Sequence, residues 1–164
     1  MIRLAQQADC WRLAELHVAS WKDAYEGILP KTYLDSLSVE KRSQDWETLL
    51  GSGESKVLLH FDGGHLVGFG ALCPSRDDDG EESGEVSALY YAKSAWGTGL
   101  AAELMELIQK ELKNDGFSRI TLWVLRENAR AQAFYRKFAF VADGTKRKLE
   151  RDSVTIEEIR MVRS

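Results

Sequence analysis

The sequence has 164 residues, 44 % hydrophobic and 29 % charged, proportions that suit one folded globular domain over residues 1–164 and exclude a fibrous or disordered chain. Lys and Arg number 22 against 26 Asp and Glu, a net charge of −4 and the wrong sign for a protein that grips nucleic acid through its phosphates. The longest apolar stretch, Leu66 to Cys73, is too short for a membrane span, and residues 1–11 hold no signal-peptide core, so a cytoplasmic location with no membrane partner is expected.

A short strand is expected at Ile2–Leu4. Asp9 is placed to cap a helix whose Ala14, Val18, Trp21 and Tyr25 recur at three- and four-residue steps and which ends at Gly27. A second helical segment follows Pro30 with Tyr33, Leu34 and Leu37, and a third runs from Ser38 to Leu50, closed by Gly51 and Gly53. Val57–Phe61, Leu66–Cys73 and Glu85–Tyr91 are short apolar runs split by Asp62-Gly63-Gly64 and an acidic stretch, which predicts antiparallel strands. Leu100, Leu104, Ile108 and Leu112 share one face of a helix over Leu100–Asn114, with Gly116 as its left-handed cap. Ile120–Leu125 reads as a buried strand and Ala129–Phe138 as a short helix; Phe140 onward and Val154–Met161 form a closing antiparallel pair. The expected class is mixed α/β: a largely antiparallel twisted sheet around a central strand, loop and helix, flanked by further helices.

Cys10 and Cys73 have no partner at metal or CxxC spacing and read as reduced thiols. His17, His60 and His65 lack ligand spacing, so no metal is expected. Asp77–Glu82 lacks the twelfth-position Glu of a calcium loop and reads as a solvated hairpin loop or as an acidic rim that attracts a cationic amine.

Chemistry concentrates in Trp96-Gly97-Thr98-Gly99-Leu100-Ala101, between a strand and a helix. Small residues feeding a helix N-terminus let free N–H groups approach an anion without Lys or Arg, although two glycines also serve to turn a chain. Neither a GxxxxGK[ST] loop nor a dinucleotide GxGxxG with its acidic partner is present, which removes kinase and dehydrogenase readings. In this context the sequence resembles the GNAT superfamily of acyl-CoA-dependent N-acetyltransferases over nearly its whole length. Gly99 and Ala101 match the last two defined positions of its Q/R-x-x-G-x-G/A pattern, whereas Trp96 departs from Gln/Arg. Asn128, Ala131, Phe134, Tyr135 and Phe138-Ala139-Phe140 are similar to N-x-x-A-x-x-[FL]-Y-x-x-x-G-F, with Ala139 in place of the glycine.

The resemblance implies a GNAT-like domain that binds acetyl-CoA through Leu89, Tyr90 and Tyr91, the loop Trp96, Gly97, Thr98, Gly99, Leu100 and Ala101, and Asn128, with Tyr135 near the thioester sulfur. Asn128 as a helix cap and Tyr135 as packing are the plainer alternatives. Glu85, 14 positions before Gly99, stands where relatives carry a catalytic carboxylate, but it also suits a solvated strand end. Trp21-Lys22-Asp23-Ala24-Tyr25-Glu26-Gly27 with Pro30 is similar to a W-x-x-A-Y-x-G-x-x-P signature, which implies Trp21 and Tyr25 as an aromatic wall for an amine acceptor; helix-spaced aromatics also build cores. The expected function is acetyl transfer from acetyl-CoA to a primary amine by direct attack, with a catalytically silent CoA-binding module as the alternative. Nucleic acid is not expected as a partner, and a homodimer is left open.

Overall fold

The computed structural model describes residues 1–164. Strands β1 (Ile2–Leu4), β2 (Lys56–Asp62), β3 (His65–Pro74), β4 (Ser83–Tyr91), β5 (Arg119–Leu125), β6 (Val141–Arg151) and β7 (Val154–Arg163) form one sheet in the order β1-β2-β3-β4-β5-β7-β6. Neighbours are antiparallel except β4 and β5, which run parallel and join through the crossover helix α4 (Leu100–Asn114). The remaining helices are α1 (Cys10–Tyr25), α2 (Lys31–Asp35), α3 (Val39–Ser52) and α5 (Ala129–Arg136). The strand and helix order follows the sequence reading, with ends shifted by a few residues.

Both faces of the sheet are covered. On one, Leu104, Met105, Ile108 and Leu112 of α4 bury against Leu58, Leu72, Val86 and Leu122. On the other, Leu13, Ala14 and Leu16 of α1 and Trp46 of α3 bury against Val57, Leu59, Phe69 and Ala71. Strand β2 is therefore buried on both sides, which explains its unbroken apolar run. Ser38 caps α3 by accepting from the Lys41 N–H. Asp9 precedes α1 as expected but does not cap it with its side chain: the carboxylate takes Arg3, Arg12 and the Gln6 N–H instead. Those charged donors outcompete a helix N–H for the same oxygens.

Parallel pairing of β4 and β5 covers only Ser83–Val86 against Arg119–Leu122. Opposite β3, Val86 pairs with Leu72 and Ala88 with Ala71, so Ser87 is an extra, bulged residue. A bulge sharpens the local twist, and beyond it the two strands part, β4 staying with β3 to Tyr91 and β5 with β7 to Leu125. Backbone groups on the facing edges are left without strand partners.

His17, on α1, sits 5.2 Å from Phe69 and 5.4 Å from Trp46, centroid to centroid. Burial, aided by the nearby Arg42 charge, lowers its pKa to about 3, so it is a neutral aromatic core residue at pH 7. The folded pKa lies below the unfolded value, so the neutral ring contributes stability above about pH 6.5 that is lost as pH falls toward 3. His17→Phe is therefore expected to escape about 2 kcal/mol of the parent's loss between pH 7.5 and pH 5 in urea unfolding. Parallel pH dependences would show that His17 protonates freely in the fold.

Helix α5 closes with Ala139 N–H donating to Arg136 and Phe140 N–H to Tyr135, a Schellman-type ending. Ala139 has φ 63°, the left-handed conformation that glycine adopts without a side-chain penalty. Ala139→Gly is expected to raise unfolding free energy by roughly 0.5–1 kcal/mol, the relief of strain less the added entropy of the unfolded chain. Lowered stability on thermal unfolding would contradict that account.

Candidate functional site

After β4 the chain makes a short 3-10 turn, Lys93–Ala95, and reaches α4 through Trp96-Gly97-Thr98-Gly99. Gly99 is the helix N-cap at φ 90° and Gly97 has φ 75°, with open space where a Cβ would stand in each. No side chain caps α4, and the N–H groups of Gly97, Gly99, Leu100 and Ala101 donate to no protein acceptor. Free N–H groups gathered at the positive end of a helix dipole are the donors that an anion cradle needs. Thr98 braces the loop instead of facing a ligand, its hydroxyl donating to the Ala95 carbonyl.

Two fixings hold this cradle to the sheet. The Tyr91 hydroxyl donates to the Leu100 carbonyl at 3.0 Å and lies 2.8 Å from His60 Nδ1; with its one proton committed, it accepts from the imidazole N–H. Trp96 Nε1 donates to the Tyr91 carbonyl at 3.1 Å. The residue that breaks the sequence pattern thus anchors the loop to the strand end, and the Arg130 guanidinium stacks 3.6 Å from the centre of its ring.

From this loop one cavity of about 1130 Å³ passes through the gap between β4 and β5 to the α1 side of the sheet. Tyr135 stands in it, packed on Phe134 and Phe140, with no protein partner for its hydroxyl. Burial raises the phenol's pKa, so it remains a protonated donor. Asn128 is the N-cap of α5, accepting from the Ala131 N–H at 3.1 Å, as the plainer alternative held. The same residue lines the cavity, and its amide nitrogen makes no protein hydrogen bond. Gln132 latches α5 to the end of β5 by donating to the carbonyls of Leu125 and Arg126.

On the far side the Tyr25 and Tyr90 hydroxyls lie 2.8 Å apart, and Trp21 meets Tyr25 edge-on at 4.9 Å. Trp21 and Tyr25 line the cavity and also pack in the core, so packing and wall are one role. Glu85 is only 1 % exposed, which removes the reading of a solvated strand end. Gly84 points at Leu112 of α4, so by strand alternation Glu85 faces the α1 side, with Tyr90 brought to the same side by the bulge. Its Oε1 accepts from Arg76 Nη2 at 2.6 Å, and Oε2 from the Arg76 main-chain N–H at 3.1 Å and Nε at 3.3 Å.

The acidic stretch is the exposed loop between β3 and β4, as expected, but two of its carboxylates are tied down. Asp77 and Asp79 bind the guanidinium of buried Arg160, and Asp77 also accepts from Trp123 Nε1 at 3.0 Å. Burying Arg160 without counter-charges costs several kcal/mol, and the loop carboxylates offset that cost. Every expected site residue except Thr98 and Leu100 borders this cavity; Thr98 belongs to the loop and Leu100 is the first residue of α4. Arg76 and Arg130 were not singled out in the sequence. Arg76 sits in an irregular loop with no periodic signal; Arg130, two positions after Asn128, stood inside the second motif.

Comparison with known proteins agrees with this geometry. Residues 3–140 match the sequence profile of the Acetyltransferase (GNAT) family. The chain is 35 % identical over 134 residues to the uncharacterized N-acetyltransferase Mb2688 of Mycobacterium bovis, covering 82 % of this chain and 74 % of that protein. It is 27 % identical over 138 residues to the uncharacterized N-acetyltransferase YuaI of Bacillus subtilis, covering 84 % and 78 %. The crystal structure of PaiA N-acetyltransferase from Thermoplasma acidophilum in complex with coenzyme A shares the fold, with TM-score 0.76, 24 % identity and 96 % of each chain covered. With its split parallel strand pair, its uncapped helix after the glycine loop and a profile match over most of its length, the chain belongs to the GNAT acetyltransferase family.

Proposed function

We propose that this protein transfers an acetyl group from acetyl-CoA to a primary amine by direct attack within a ternary complex. The observation that carries the reading is the continuous cavity: an anion cradle at one end, an unpartnered phenol in the middle, and an aromatic chamber with a buried carboxylate at the other. Relatives named N-acetyltransferases and a neighbouring structure that holds coenzyme A support the same cosubstrate.

In this reading the N–H groups of Gly97, Gly99, Leu100 and Ala101 hold the diphosphate. The open edge of β4 at Leu89, Tyr90 and Tyr91 and the Asn128 amide hold the pantetheine arm. Acetyl-CoA supplies the activated acetyl carbonyl as a thioester. Trp21, Tyr25 and Tyr90 wall the amine, excluding water around the attacking nitrogen. An alkyl amine is only about 0.1 % neutral at pH 7, so a proton acceptor is needed before nitrogen can attack. Arg76 occupies three of the roughly four lone-pair positions of Glu85, leaving one on Oε1 for a proton relayed through water. Tyr135 donates to the sulfur as the carbon–sulfur bond breaks and the carbon–nitrogen bond forms, and its phenol recovers its proton from solvent. Cys10 and Cys73 are buried, border no part of the cavity and have thiol pKa values raised by burial, which favours direct attack over an acyl-cysteine.

Release of free CoA thiol against a panel of amines tests the reading; binding of acetyl-CoA with no turnover would favour the silent module. Tyr135→Phe is expected to lower kcat roughly 10- to 1,000-fold with little change in acetyl-CoA KM. Glu85→Gln should lose about 10²-fold or more at neutral pH and recover as pH rises and solvent supplies neutral amine. Full kcat in Tyr135→Phe, or a Glu85→Gln pH profile that overlays the parent's, would remove that residue from the chemistry.

A further inference from the structure

Four basic side chains line the cavity without an ion pair, Arg42, Arg130, Lys137 and Arg151, and of these Arg130 is the one stacked on a residue of the glycine loop. Arg76 is paired with Glu85, and Arg147 donates to Glu158 at 2.6 Å. Arg130 lines the same cavity with neither an ion pair nor a hydrogen bond; its guanidinium is instead laid on the Trp96 ring, 3.6 Å from the centroid. Stacking uses the flat face of a guanidinium and leaves its N–H edge free to donate, bidentately where the acceptor is a phosphate. The platform is itself fixed, because Trp96 Nε1 is bonded to the Tyr91 carbonyl. A mobile arginine at the second position of α5 is thereby held over a residue that directly precedes Gly97, the first of the free N–H donors.

We propose that Arg130, stacked on Trp96, supplies the cationic contact to the diphosphate held by the Gly97–Ala101 cradle, so that Trp96 acts as a positioning residue for a charge carried on another helix. The proposal rests on the acetyl-CoA reading above and adds a residue to it. It accounts for the indole where a polar side chain would otherwise point at the phosphates: the ring gives up its own contact and orients a stronger, permanently charged one. It also accounts for an arginine held against an indole with no carboxylate beside it, an arrangement that an incoming anion would complete. The diphosphate, not the 3′-phosphate, is assigned because the stack places the guanidinium against the cradle.

Calorimetric titration with CoA, 3′-dephospho-CoA and pantetheine tests this without reference to turnover. Arg130→Gln, at an exposed helix position, is expected to weaken CoA and 3′-dephospho-CoA about equally, on the order of 10-fold, and to leave pantetheine unchanged. Trp96→Ala should weaken CoA similarly, and Arg130→Gln should add little in that background, since both remove one oriented charge. Lys93, whose ammonium lies 6.0 Å from the same ring, is the control, and Lys93→Gln should cost less than Arg130→Gln. A loss that disappears with 3′-dephospho-CoA, an equal loss with pantetheine, fully additive variants or a larger loss for Lys93→Gln would each overturn the proposal. A parent protein that binds no CoA would overturn the acetyl-CoA reading as well, whereas tight parent binding with unaffected Arg130→Gln would sink this assignment alone.

Discussion

The whole site depends on a sheet that stops pairing. Strands β4 and β5 share four residue pairs, the last Val86 with Leu122, and then diverge beside the bulged Ser87. An unpaired strand edge inside a protein leaves N–H and C=O groups that must find partners, so the parting is tolerable only where water or a ligand completes them. An extended ligand with amide groups can do so as an added strand would. The same divergence opens the passage between the two faces of the sheet, through which, on the proposed function, a donor bound against α4 would meet an acceptor bound against α1. Each strand is secured on its other side, β4 to β3 and β5 to β7, so the gap costs local pairing without loosening the fold.

Electrostatics in this molecule is local rather than global. The chain carries −4 overall, yet the loop end of the cavity, where the proposed function places the diphosphate, is lined with donors: a helix N-terminus with no cap and an arginine with no counter-ion. At the opposite end Glu85 is paired with Arg76 and Glu158 with Arg147, while Arg42 is unpaired and lies over the Trp21 ring. In each pair a carboxylate withdrawn from water is held beside the apolar chamber by an arginine that still reaches solvent, where an unpaired buried carboxylate would be costly. Arg160 plays a comparable structural part, drawing the acidic loop and β6 to β7 through Asp77, Asp79 and Asp143.

Much of the fold was legible because its signals are periodic. The α4 stripe, the unbroken apolar run of β2 and the Ser38 cap follow from side-chain spacing and local hydrogen bonding alone. The glycine loop was legible for a similar reason, since left-handed φ angles select residue type directly. At Asp9 the charges of Arg3 and Arg12 decide the outcome, and in the Asp77–Glu82 loop, exposed between β3 and β4 as expected, Arg160 from far along the chain takes up Asp77 and Asp79. Arg160 cannot be inferred from spacing, being 81 positions from Asp79. Glu85 shows the same limit: its neighbours Glu81 and Glu82 suggest solvent, but one position in a strand separates a buried carboxylate from an exposed one. Arg130 was hidden in plain view within a motif, because its significance comes from an indole more than thirty positions earlier in the chain.

Amide hydrogen exchange with and without acetyl-CoA tests the central claim, that the parted strands and the uncapped helix form the cofactor slot. The structure predicts that acetyl-CoA slows exchange in two stretches, residues 87–91 of β4 and residues 97–101 of the loop and first turn of α4, while β1 and the β6 edge are unchanged. Unaltered exchange in both stretches, or protection confined to another part of the sheet, would contradict it.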